Sequence, residues 1–240
     1  MVNVDLHLHT TYSDGALTPD KLVELALKNN LGIIAITDHD CTDGIDEAML
    51  ASQGKNLTII PGIELNTDTD EGEIHILGYF IDYKNKDLQK LLIECRNNRV
   101  ERAKIMVEKL NDIGINIQWS RVEELAGYGA VGRPHIAKAM LEIKSIATFQ
   151  EAFDKYIGRN GIAYIERFRL NVYDAIKTIL QYEGIPVLAH PGYIKNLHQL
   201  LPSLIKSGLK GMEVFYANYD TNTINGLKNI ASKYNLIPCG

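Results

Sequence analysis

Cysteine is scarce in this chain, and the three present, Cys41, Cys95 and Cys239, are far apart and show no C-x-x-C spacing. That argues against a disulfide framework or a cysteine-based zinc knuckle and fits a reducing compartment. Long apolar runs are missing too. The longest are strand-sized, short of a membrane span, and the N-terminus reaches Asp5 and His7 without the apolar core of a signal peptide. Excess positive charge is also absent. A formal net charge of −5 argues against coating long nucleic acid by charge alone, yet leaves room for a small phosphorylated substrate held locally. No low-complexity tract or internal repeat is visible. The expectation is a cytoplasmic protein with no membrane association and no need of long nucleic acid; its oligomeric state is not legible.

What is present suits one large α/β domain: 240 residues, of which 45% are apolar, are enough for a sizeable core. Val2–Leu8 is a β-rich run, and Thr18-Pro19-Asp20 opens a helix over Pro19–Asn29 with Pro in its first turn. Gly32–Thr37 reads as a buried strand, followed by a helix near Ile45–Lys55 and a strand over Leu57–Glu64. Strands over Glu73–Phe80, Ile185–Ala189 and Gly211–Phe215 follow. A helix near Asn222–Tyr234 then leads to the opening of a seventh strand at Leu236. This β-α repetition predicts a parallel sheet with crossover helices, a (β/α) barrel. The barrel would comprise residues 1–81 and 170–240. A helical insertion over 82–169 would start with a long helix from Leu88 to Ile113 and pack over the barrel mouth.

Six of the seven histidines sit in short patterns, five of them at or near the ends of these strands and the sixth, His135, in the insertion. In His7-Leu8-His9 the residues two apart share a face, so both imidazoles project together. His39 and Glu64 follow apolar strands, His75 alternates with Ile74 and Ile76, and His190 ends Pro-Val-Leu-Ala before Pro191-Gly192 turns the backbone. Asp14 lies in the loop after the first pair. Histidine and carboxylate are the usual ligands of zinc, iron and manganese, and strand C-terminal ends are where barrels place their active sites.

These patterns resemble a known family. Asp5-Leu-His-Leu-His9-Thr-Thr-Tyr-Ser-Asp14-Gly, Thr37-Asp-His39-Asp, Pro61-Gly-Ile-Glu64, His75 with Leu-Gly-Tyr after it, and Ala189-His190-Pro191-Gly192 look like the PHP (polymerase and histidinol phosphatase) superfamily. Gly132-Arg133-Pro134-His135-Ile136-Ala137 is similar to the branch holding nucleoside 3′,5′-bisphosphate phosphatases and 5′-to-3′ exonucleases of short RNA. The resemblance implies a distorted seven-stranded, TIM-related β/α barrel with two or three divalent ions, manganese, iron or zinc, at its C-terminal face. His7, His9 and Glu64 would hold one ion and Asp14 and His39 a second. Glu64 would bridge to a third on His75 and His190. Asp14, His39 and His190 would serve catalysis, and Arg133 and His135 would grip substrate phosphate. The implied activity is hydrolysis of phosphomonoesters or phosphodiesters of small nucleotides or short oligonucleotides by a metal-activated hydroxide.

Two rival readings stand beside it. An amidohydrolase or deaminase also opens its barrel with His-x-His, but the metal-bridging Lys it needs is not evident. A PHP module keeping metal for structure or regulation, with little activity, is the alternative outside catalysis. Arg96, Arg99 and Arg102 read as a solvated helix face paired with Glu94, Glu101 and Glu108, while Arg167 and Arg169 are further phosphate candidates. The family's final Asp-x-His, expected at the end of the seventh strand, has no counterpart before Gly240. The expectation is a truncated last strand and a weakened catalyst.

Overall fold

The computed structural model describes residues 2–69, 72–127, 131–165 and 170–240. Strand β1 (Asn3–Leu8) leads through helix α1 (Pro19–Lys28) to β2 (Leu31–Ile36), then α2 (Ile45–Ser52), β3 (Thr58–Thr69) and β4 (Gly72–Tyr79). Helices α3 (Lys86–Asp112), α4 (Trp119–Ala126), α5 (Arg133–Glu142) and the short α6 (Phe149–Glu151), which continues as a π-helical turn over Ala152–Ile157, come next. The chain then runs through α7 (Val172–Gln181), β5 (Ile185–Leu188), a 3₁₀ turn (Pro191–Tyr193), α8 (Leu197–Lys206), β6 (Gly211–Glu213), α9 (Thr221–Tyr234) and β7 (Ile237–Cys239). All seven strands join one curled sheet in chain order, the distorted α/β barrel architecture expected.

One expectation is corrected. The sheet is not parallel throughout: β4 runs antiparallel to both β3 and β5. A parallel neighbour needs a crossover of a dozen or more residues, and only two residues separate Thr69 from Gly72, so the chain can only double back. Strand β3 also runs five residues past Glu64, through a stretch whose polarity suggests a loop. Its groups are satisfied inside the sheet. Asn66 donates to Asp40 from its backbone and its amide at 3.1 and 3.0 Å, and the Thr67 hydroxyl donates to the Ile74 carbonyl at 2.5 Å. Helices α7 and α8 flank β5. The first starts on Asn171, whose side chain accepts the Asp174 N–H, and buries Val172, Ala175, Ile176 and Ile179.

Alternation along the strands makes two layers. Ile34, Ile36 and Ile59 face outward, where α1 and α2 cover them with Leu22, Val23, Ala26, Ile45 and Ala48. Ala35, Ile60, Leu77, Val187 and Ala189 form a cluster on the other face. The chain divides into two compact units, Met1–Gln89 with Arg169–Gly240, and Lys90–Phe168. The second unit has a core of its own, including Met106, Leu110, Val122, Ile136 and Met140.

Candidate metal centre

Backbone pairing delivers the chemistry-bearing side chains in sequence around the sheet. The Thr37 N–H donates to the Leu8 carbonyl, which sets the end of β2 beside the end of β1. The Glu64 N–H donates to the Asp38 carbonyl and the Asp40 N–H to the Glu64 carbonyl, so His39 lies next to Glu64. Across the hairpin Glu64 is opposite Leu77, which makes His75 its diagonal neighbour on the same face. The Ala189 N–H then donates to the His75 carbonyl and brings His190 alongside. His190 itself adopts a left-handed backbone, φ 32° and ψ 52°, a conformation uncommon for a residue with a side chain and frequent at functional sites.

The result centres on Glu64, which is almost wholly buried. Its Oε2 lies 3.3 Å from His7 Nε2, 3.1 Å from His9 Nε2 and 2.9 Å from His39 Nδ1. Its Oε1 lies 2.9 Å from His75 Nδ1 and 3.2 Å from His190 Nε2. Asp14, half exposed, reaches His9 Nδ1 at 3.2 Å and His39 Nε2 at 3.6 Å. Every residue expected at the barrel mouth is therefore present in one cluster.

Three overlapping triads have donor atoms close enough to share an ion: His7 with His9 and Glu64, His9 with Asp14 and His39, and His39 with Glu64 and His75. These cut across the expected partition, since His9 and His39 each belong to two triads. Two further observations fit a cation. Buried His39 Nδ1, Glu64 Oε2 and His75 Nε2 lack a hydrogen-bond partner, although the first two are only 2.9 Å apart, so their approach is not a hydrogen bond. His7 Nε2 and His9 Nε2 also face each other at 3.1 Å. Imidazole nitrogens and carboxylate oxygens converging in a buried place are the geometry of ligands, and a set of imidazoles and carboxylates suits zinc, iron or manganese.

Protonation follows from this crowding. Burial opposes charge on His7 and His9, but Glu213 and Glu64 around the first, and Asp14 and Glu64 around the second, outweigh it; the pKa values rise to about 9 and about 10. For His39 burial prevails and holds the pKa below its usual value. Glu64 is held well below the carboxylate range because the imidazoles overcome its own burial, and Asp14 is lowered in the same way by His9 and His39.

Two carboxylates not singled out in the sequence hold this cluster in place. Glu213, buried at the end of β6, accepts from His7 Nδ1 at 2.9 Å and from the His190 N–H at 2.6 Å. It therefore fixes which His7 nitrogen faces Glu64. Asp38, also buried, accepts from the Thr10 N–H and hydroxyl at 2.7 Å each and from the Ser13 hydroxyl at 2.5 Å. That ties down the loop carrying Asp14. Gly15 closes the loop; any Cβ there would sit 2.3 Å from the His9 carbonyl oxygen. In the sequence Glu213 is merely an acid inside the apolar run Gly211–Phe215. Beside His7 and Glu213 lies a cavity of about 390 Å³, lined also by Asp5, Phe215 and Tyr216.

Arg133 and His135 belong to the second unit, at the start of α5. The Arg133 guanidinium lies 5.6 Å from the centre of the Phe153 ring, and buried His135 accepts the Gly132 N–H on Nδ1 at 3.1 Å. Arg102 is turned into that unit: its Nε donates to the Ile165 carbonyl at 2.7 Å and its head group covers Tyr164. That departs from the solvated face expected of it. Arg167 and Arg169 lie outside the described residues. Among the described residues no helix is long and apolar enough to cross a membrane.

Comparison with known proteins bears on the same site. The PHP domain profile matches residues 5–189. The 5′-3′ exoribonuclease Rnm of Salmonella typhimurium is 34% identical over 97% of this chain and 81% of its own length. The 3′,5′-nucleoside bisphosphate phosphatase of Chromobacterium violaceum is 28% identical over 98% and 85%. Among solved structures, a candidate metal-dependent phosphoesterase from Bifidobacterium adolescentis superposes with a TM-score of 0.86 at 30% identity, covering 99% of this chain and 85% of that one. A Chromobacterium violaceum protein described as an amidohydrolase, with bound sulfate and no metal, gives 0.89 at 27% identity, with coverage of 99% and 85%. The histidine-rich strand ends, the curled sheet that gathers them and these likenesses agree, and the chain belongs to the PHP domain family.

Proposed function

We propose that this chain is a metal-dependent phosphoesterase that hydrolyses phosphate esters of small nucleotides or of short oligonucleotide ends in the cytoplasm. The observation that carries the reading is Glu64, a single buried carboxylate facing nitrogens of five imidazoles from four other strands or the residues just past them. The names of the relatives, an exoribonuclease and a bisphosphate phosphatase, support the substrate class. Two or three ions would be held, with His7, His9, Asp14, His39, Glu64, His75 and His190 as ligands. When bound, such ions lower the pKa of water and neutralise charge on phosphoryl oxygens.

The chain's own residues supply the rest. Glu64 remains ionised in the interior and keeps the imidazoles aimed at one place. Glu213 holds the His7 ring by Nδ1 and anchors the backbone of His190. Asp14 remains ionised on the accessible side, between His9 and His39, where it can accept a hydrogen bond from an incoming group. We assign catalytic contact to Asp14, His39 and His190, and phosphate gripping to Arg133 and His135. A guanidinium offers phosphate a planar fork and an imidazole offers a hydrogen bond.

The test is phosphate release from nucleoside 3′,5′-bisphosphates, mononucleotides and short 5′-phosphorylated RNA with Mn²⁺ added. Release that disappears on chelation is the expected result, and inertness of the metal-loaded chain toward all three refutes it. Arg133→Ala should impair turnover while leaving metal content unchanged; loss of metal would show that its role is structural.

A further inference from the structure

Three tyrosines crowd the edge of the histidine cluster. Tyr216, just past β6, has its ring centre 6.1 Å from that of His190 and 6.4 Å from that of His7. Tyr193, in the turn after β5, lies 6.2 Å from Tyr216 and 5.6 Å from Tyr219, and Tyr216 and Tyr219 are 5.2 Å apart. The planes cross at 52° to 88°, so no ring spends its face in a parallel stack with another.

One member has a clear packing role. The Tyr219 hydroxyl accepts the Gly192 N–H at 2.8 Å, and its ring occupies the space a Cβ at residue 192 would need, 2.7 Å away. It joins the turn after β5 to the loop after β6. Packing does not account for Tyr193, which is 62% exposed although it touches two other rings. A rigid aromatic surface presented to water, one ring beyond imidazoles that would face a phosphate, is an arrangement suited to a flat heterocycle.

We propose that Tyr193 and Tyr216, braced by Tyr219, form a nucleobase-stacking subsite that holds the base of a substrate whose phosphate lies at the Glu64 centre. This rests on the phosphoesterase reading and narrows it: the preferred esters carry a nucleobase, and sugar phosphates without one are poor ligands. Because every base has a π face, the subsite favours bases over no base without choosing strongly among them. Tyr193 acts as a specificity-determining residue, remote from the reacting atoms.

The experiment compares adenosine 5′-monophosphate with ribose 5-phosphate on the Mn²⁺-loaded chain by calorimetric titration, alongside phosphate release from both. The wild-type protein should bind the nucleotide about tenfold more tightly. Tyr193→Ala should erase most of that preference and raise KM for the nucleotide with little change in kcat, while Tyr193→Phe keeps it. Metal content should be the same in all three forms. Equal binding of the two probes by the wild type, no binding of either, or an equal loss for both in Tyr193→Ala would overturn the subsite. Preferential nucleotide binding by a metal-loaded chain that is inert toward nucleoside bisphosphates, mononucleotides and short 5′-phosphorylated RNA alike would instead sink the hydrolase reading and leave the subsite standing.

Discussion

Two buried carboxylates beside the centre, Asp38 and Glu213, do different work with the same chemical group. Asp38 spends its oxygens on Thr10 and Ser13, a backbone N–H and two hydroxyls. Glu213 spends one oxygen on the His7 ring and the other on the His190 backbone. The first fixes a loop, and through it the position of Asp14. The second fixes the orientation of an imidazole that faces Glu64. Burial costs both carboxylates similarly, so the difference lies in which partner each one satisfies. Disturbing one should therefore appear mainly as lost fold stability, disturbing the other mainly as lost metal affinity.

The largest effect belongs to Glu64, the group both of them serve. Glu64→Gln should strip metal from the centre, with an affinity loss beyond the roughly 10–100-fold typical of an outer partner. Metal content per chain, measured by mass spectrometry after desalting, checks this. Glu213→Gln should come next, with a loss of about 10–100-fold in metal affinity and a melting temperature close to the wild type. Should that variant bind metal normally, the contrast with Asp38 collapses. Asp38→Ala leaves buried donors on Thr10 and Ser13 without an acceptor and should cost roughly 1–3 kcal/mol, read from the denaturant midpoint. Its metal affinity should fall less than that of Glu213→Gln.

The smallest effect is one of pH. His7 and His9 carry raised pKa values of about 9 and about 10 in the metal-free protein, because Glu213, Asp14 and Glu64 overcome the burial that opposes their charge. Both are protonated at neutral pH and must lose those protons to bind a metal. Affinity should therefore climb as pH rises toward 9–10 and flatten above, with protons released on binding. The sign is opposite for the metal-free fold. A His7 pKa raised from 6.5 to about 9 stabilises it fully below pH 6.5, and that stabilisation is lost as the pH rises through about 9. Proton uptake on metal addition in weak buffer would contradict this account.

Much of the centre was legible because the strand period advertises it. His7 and His9 share a face by being two apart, His75 stands opposite to two isoleucines, and Glu64 and His190 terminate apolar runs. The supporting carboxylates were not. Glu213 follows only Gly-Met in a short strand, and its partners are 206 and 23 residues away, so no local pattern marks it. Asp38 looks like another acid in Thr-Asp-His-Asp, and the face it takes is set by the bridge between His39 and Glu64. In the fold, the reversal at β4 escaped notice because an apolar strand looks the same in either direction. Only the short Thr69–Gly72 connection distinguishes them.

The central claim is that Glu64 joins imidazoles from four other strands, or the residues just past them, into one multi-metal site. Anomalous diffraction from crystals of the Mn²⁺-loaded chain tests it most directly. The account predicts at least two manganese peaks within bonding distance of Glu64, sharing His7, His9, His39, His75 or His190 as ligands. A single ion bound away from Glu64, or none in a protein that still releases phosphate, would contradict it.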